Sequence, residues 1–177
     1  MRRGLGLATS DFDHFHLTRR RMLAGGLLLL PGVAKAGCAQ TKLLFVCPVG
    51  TVKSAIAREA LRARAQESSL PVEVRSRGLK VEDHVSPALA ARLKADGLMQ
   101  SAEPAQTFAP LDASWADIVI AFDEAASAPD LATARVWNTP SWNADYDQAK
   151  ADLQQRLEAL LTELAKRPCR STPPTVR

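Results

Sequence analysis

Hydrophobic and polar positions in residues 41–166 fall into blocks that alternate between two periods. TKLLFVC, Thr41–Cys47, is short, almost continuously apolar and bounded by polar residues, which predicts a buried strand. Residues 54–65 take helical spacing. Ile56 and Leu61, with Ala57 or Ala60, share one side, and Arg58, Arg62 and Arg64 share the other. Pro71 opens a second strand at 72–76, closed by Gly78. Ser86-Pro87 starts a second helix, which Leu89, Ala90 and Leu93 carry to a glycine stop at Asp96-Gly97. ADIVIAFD, residues 116–123, is β-branched and apolar throughout, the pattern of a parallel strand buried on both faces. Residues 134–138 form a shorter fourth strand, and 147–166 a last helix with Leu153, Leu157, Leu160, Leu161 and Leu164 on one stripe.

Strands alternating with helices predict an α/β fold with a parallel sheet covered on both sides. Such sheets bind ligands beyond the carboxyl ends of their strands. Cys47 stands at one of those ends.

The 177 residues suit one domain plus a leader, and 46% apolar content is enough for a core. The formal charge of +4 is unevenly spread: six of the 23 Lys and Arg but only two of the 19 acids precede Gly37, leaving 17 of each. A basic stripe for nucleic acid therefore has no support. The excess basicity lies in residues 1–36, where Thr18-Arg19-Arg20-Arg21-Met22-Leu23 precedes the apolar run LAGGLLLLPGV and then Ala34-Lys35-Ala36. These are the parts of a twin-arginine-type export signal cut after Ala36, which directs the domain at 37–177 to a bacterial periplasm. The apolar run is short of the roughly 20 residues that span a bilayer. Stable membrane association is expected only if the signal is retained or Cys38 is lipidated. The proline-bearing tail, 168–177, is expected to be loose.

The turn Cys47-Pro48-Val49-Gly50-Thr51-Val52-Lys53-Ser54 joins the first strand to the first helix. Backbone N–H groups in such a turn form an anion cradle at the positive end of a helix. A thiol there is stabilised as the thiolate. Lys53 adds a positive charge at the rim, and Ser54 can donate its hydroxyl to the sulfur. Together these suit attack on phosphorus. The same spacing also fits a small core cysteine followed by an ordinary turn.

FVCPVGTVKSAIAREAL resembles the signature of the low-molecular-weight protein tyrosine phosphatase family, which includes arsenate reductases: Cys, five residues, Arg, Ser after an apolar strand. VEVRSRGL is similar to its strand ending in Ser-Ala-Gly, VSPALAARLKADGL to its next helix, ADIVIAFDE to its Ala-Asp-aliphatic strand, and VWNTPSWNADYD to its acid-bearing loop. The resemblance implies a four-stranded parallel sheet with helices on both faces. It also implies a phosphomonoester hydrolase needing no metal or cofactor. Cys47 would attack phosphorus, the amides of residues 48–52 and Lys53 would hold the oxygens, and Ser54 would stabilise the thiolate. The partner would be a phosphorylated small molecule or a phosphoprotein.

Departures from that pattern leave a second reading open, an oxyanion-binding member without turnover. Lys53 replaces an arginine whose planar fork grips two phosphate oxygens. Val49 occupies the family's glycine site, with Gly50 one place later, so a Cβ there strains the turn. Pro140-Ser141-Trp142 stands where the family has its Asp-Pro general acid; Asp145 or Asp147 substitutes if the loop folds back, or both are acids that cap the positive start of the last helix. Arsenate reduction is a minor alternative, since residues 78–100 contain no cysteine. A Cys38–Cys169 disulfide is expected in an oxidising compartment, leaving Cys47 free. Trp142 or Trp137 walls the pocket or joins the core, and Tyr146 lines the pocket or is partly exposed. Trp115 packs under the third strand, His84 is solvated, and Arg75 and Arg77 are solvated or form a positive rim.

Overall fold

The computed structural model describes residues 38–82, 85–98 and 103–168. The expectations for the leader at 1–36, His84, Cys169 and the tail beyond 168 lie outside the described residues.

Four parallel strands, β1 (Thr41–Cys47), β2 (Val72–Gly78), β3 (Ile118–Phe122) and β4 (Arg135–Trp137), form one sheet in the order β2-β1-β3-β4. Among the described residues four helices accompany them: α1 (Lys53–Glu67), α2 (Pro87–Ala95), α3 (Pro110–Trp115) and α4 (Tyr146–Ala165). β1 lies at the centre because it is apolar on both sides. Leu43, Phe45 and Cys47 pack with α1, α2 and α4, through Ile56, Leu61, Leu89, Leu93, Leu153, Leu157, Leu160 and Leu164. Leu44 and Val46 face the other way, towards Ala121, Ala125 and Leu131, with Phe108 and Trp115 partly buried against them. The sheet is thus covered on both faces, as the alternating pattern predicts.

Three features differ from the sequence reading. α3 and two 3₁₀ turns, Asp123–Ser127 and Pro129–Leu131, occupy segments too short to show a helical period. Arg58, assigned to the solvent side of α1, is only 2% exposed. Its guanidinium donates to Glu59 Oε1 at 2.6 Å and Ser76 Oγ at 2.8 Å, with Glu103 Oε1 at 3.4 Å, so its charge is paired and hydrogen-bonded. Arg77 is also buried and donates to Asp112 Oδ1 at 2.9 Å, while Arg75 stacks on Trp115 at 3.8 Å and pairs with Glu73. Neither arginine is a free positive rim.

Candidate active site

β1 ends at Cys47 because Pro48 cannot donate to a ladder, and the chain turns at Gly50, whose φ is +75°. Val49 stays out of the left-handed region, so the displaced glycine strains nothing; the turn simply bends one residue later. The segment after β2 clamps the turn: Leu79, Lys80 and Glu82 N–H donate to the carbonyls of Cys47, Pro48 and Val49. Gly78 permits this approach, since a Cβ there would lie 2.6 Å from Gly50 N.

Cys47 is 1% exposed. Its Sγ accepts the Gly50 N–H at 3.1 Å and lies 3.1 Å from Ser54 Oγ. Ser54 Oγ is also 3.2 Å from the Arg77 carbonyl and 3.5 Å from that of Gly50. The single hydroxyl proton can go to either carbonyl or to sulfur. A thiolate, an acceptor only, draws it to sulfur, and Gly50 N–H supplies a second donor. Val52 stands at the N-cap of α1, which has no side-chain cap and no acid in its first turn. The N–H groups of Val49, Thr51, Val52 and Lys53 donate to no acceptor among the described residues. An anion at this helix start satisfies donors that the protein leaves open.

Cys47 borders a cavity of about 220 Å³. Pro48, Val49, Val52 and Trp142 supply its apolar lining, and Lys53, Ser141 and Asn143 also line it. Gly50, Thr51 and Ser54 are buried residues of the same turn and are not part of the lining. Asp145 is elsewhere: it is exposed and caps α4, its Oδ1 accepting from Gln148 N at 3.1 Å. Asp147 pairs with Arg92. Trp142 is the wall, whereas Trp137 packs edge-on against Phe122 and Tyr146 is buried beneath Trp142.

Three cavity residues escaped the sequence reading: Asn143, beside Trp142, and Asp123 and Glu124, which directly follow β3. Lys53 Nζ donates to Asp123 Oδ2 and, at 3.0 Å, to the Thr139 carbonyl; Asp123 Oδ1 accepts Thr139 N–H at 2.8 Å. Asp123 holds φ at +51°, an uncommon conformation for a non-glycine residue, which these bonds maintain. Lys53 therefore stands in an ion pair rather than as a lone charge at the rim. The signal for Asp123 was present in its position. An acid just past a strand that neighbours β1 in a parallel sheet arrives beside Cys47, because such strands end on the same side.

Comparison with curated proteins gives no significant match. Among solved structures, YfkJ from Bacillus subtilis is similar at 18% identity and a TM-score of 0.62, over 72% of this chain and 96% of that one. A low molecular weight phosphotyrosine phosphatase from Vibrio cholerae O395 has 17% identity and a TM-score of 0.59, over 71% and 97%. An arsenate reductase in the phosphate-binding state has 19% identity and a TM-score of 0.56, over 71% and 99%. At these identities the likeness concerns the fold. Family membership rests on the sequence profile, which matches low molecular weight phosphotyrosine protein phosphatases over residues 42–159, from the start of β1 into α4. With its cysteine turn, its parallel sheet and most of its closing helix inside that span, the chain belongs to the low molecular weight phosphotyrosine protein phosphatase family.

Proposed function

We propose that the protein hydrolyses phosphomonoesters, of phosphotyrosine-like type, through a Cys47 thiolate. The observation that carries this reading is the sulfur's setting. It accepts from Gly50 N–H, lies beside Ser54 Oγ, and stands before an uncapped helix start with open amide donors. Cys47 attacks phosphorus, the turn's amides hold the equatorial oxygens, and Ser54 stabilises the sulfur as it leaves in the second step. Pro48, Val49, Val52 and Trp142 give the cavity an apolar lining that favours an aryl or otherwise apolar ester. No residue role in this scheme calls for a metal.

One observation favours the second reading, an oxyanion-binding protein without turnover. Lys53 Nζ already meets the Asp123 carboxylate and the Thr139 carbonyl, so a phosphate dianion competes with Asp123 for it. The two readings separate in one experiment on the full chain with 4-nitrophenyl phosphate. Turnover by the wild type and its loss in Cys47→Ser, which retains orthovanadate binding, are the expected results. Vanadate binding without any Cys47-dependent release of nitrophenol selects the binding reading.

A further inference from the structure

The segment expected to supply a general acid does not supply one to the cavity. Ser141 stands there, Asp145 caps α4, and Asp147 is paired with Arg92. Two carboxyl groups line the cavity that Cys47 borders, those of Asp123 and Glu124. Asp123 has both oxygens committed, one to Lys53 and one to Thr139 N–H, so neither is open to a leaving group. Glu124 is exposed and its side chain makes no hydrogen bond or ion pair with any described residue. It is thus the one cavity carboxyl whose oxygens are open among the described residues.

The geometry points to Glu124 as the proton-transfer residue of this site, in place of the acid that Pro140-Ser141-Trp142 lacks. The inference rests on the phosphatase reading and adds a residue to it. In the first step the Cys47 sulfur bonds to phosphorus while the ester P–O bond breaks. The leaving oxygen takes the electron pair of that bond and the proton of the Glu124 carboxylic acid. In the second step a water oxygen bonds to phosphorus, its proton passes to the Glu124 carboxylate, and the P–S bond breaks, returning its electrons to sulfur. One proton leaves Glu124 and one returns, and the products are an alcohol and phosphate. The turn carrying Glu124 packs against β1, β3, β4 and the following 3₁₀ turn. The titratable and charged groups on and beside those elements are Cys47, Lys53, Asp123, Asp130 and Arg135, the last paired with Glu163, together with Lys42 and Asp117 at the opposite, amino ends of β1 and β3. Lys53 is the cation that shares the cavity with Glu124.

The test uses the full chain with two esters that differ in leaving-group acidity, phenyl phosphate and 4-nitrophenyl phosphate. Glu124→Gln is expected to lower kcat for phenyl phosphate by about 10²-fold, and for 4-nitrophenyl phosphate much less, because nitrophenolate departs readily without a proton. It is also expected to abolish the alkaline fall in kcat that marks loss of the acid's proton. Cys47-dependent turnover that keeps its rate, leaving-group sensitivity and pH profile in Glu124→Gln overturns the proposal and leaves the phosphatase reading standing. Absence of Cys47-dependent turnover from the wild type overturns both. Thermal unfolding of the variant at the wild-type midpoint ties any loss to chemistry, as an exposed side chain without partners leads one to expect.

Discussion

Asp123 decides how much positive charge the site offers. One oxygen holds Lys53 and the other holds Thr139 N–H, so it neutralises the lysine while fixing the segment after β4. Replacement by asparagine keeps an oxygen for Thr139 N–H and removes the negative charge. Asp123→Asn is therefore expected to tighten orthovanadate binding about tenfold and to steepen its salt dependence, read by titration at two ionic strengths. Unchanged affinity would mean that Lys53 acts only as a tether. Cys47 and Ser54 were legible from spacing alone, because a strand, a turn and a helix start are local. Asp123 was not read as a site residue, because its role depends on where β3 ends relative to β1. Arg58 was misplaced for a similar reason. Helical periodicity puts it on a polar face, but Ser76 and Glu103 arrive from elsewhere in the chain to accept its guanidinium.

At the scale of elements, the cavity's rim is held by α2 and α4 together. Ser86 Oγ donates to Asn143 Oδ1 at 2.9 Å, Arg92 stacks on the Tyr146 ring at 4.1 Å, and Trp142 meets Tyr146 edge-on at 5.4 Å. Tyr146 O–H donates to Asp96 Oδ2 at 2.8 Å, and Lys150 donates to the same oxygen. These bonds, that from Lys150 first, hold the Asp96 carboxyl below its ordinary range. Burial, and then the bond to Asp96, push the Tyr146 phenol from 10.0 up to about 12. A phenol raised in the folded state binds its proton more tightly there than when unfolded, so its contribution is complete below pH 10 and disappears as pH rises towards about 12. Tyr146→Phe is expected to cost about 1 kcal/mol at neutral pH. Denaturant titrations across the alkaline range should show the variant lacking the wild type's loss between those two pH values. α4 itself was readable from its leucine stripe, whereas the latch needs α2 and α4 side by side.

For the whole molecule, β1 sits between β2 and β3 and carries the cysteine to the sheet's carboxyl end, with Leu157 and its neighbours on α4 closing the face behind it. At the other end of β1, Cys38 is disulfide-bonded while Cys47 remains free. Disulfides persist in oxidising compartments, and we infer from this bond and the export signal expected at residues 1–36 that the domain works in the periplasm. An alkylating reagent applied without reductant is expected to spare Cys38, and reduction to lower folding stability by about 2–4 kcal/mol. Recovery of the protein from the cytoplasmic fraction with Cys38 open to alkylation would sink that inference.

The order of strands and helices, the cysteine turn and the leucine stripe of α4 follow from the sequence by itself, since period, turn residues and apolar runs act between near neighbours. The tertiary structure alone decided that Lys53 is paired, that Arg58 and Arg77 are buried, and that Asp123 and Glu124 line the cavity. Each of these depends on groups 16 or more residues apart meeting, or failing to meet, at strand ends and helix faces. Only the assembled sheet sets those distances.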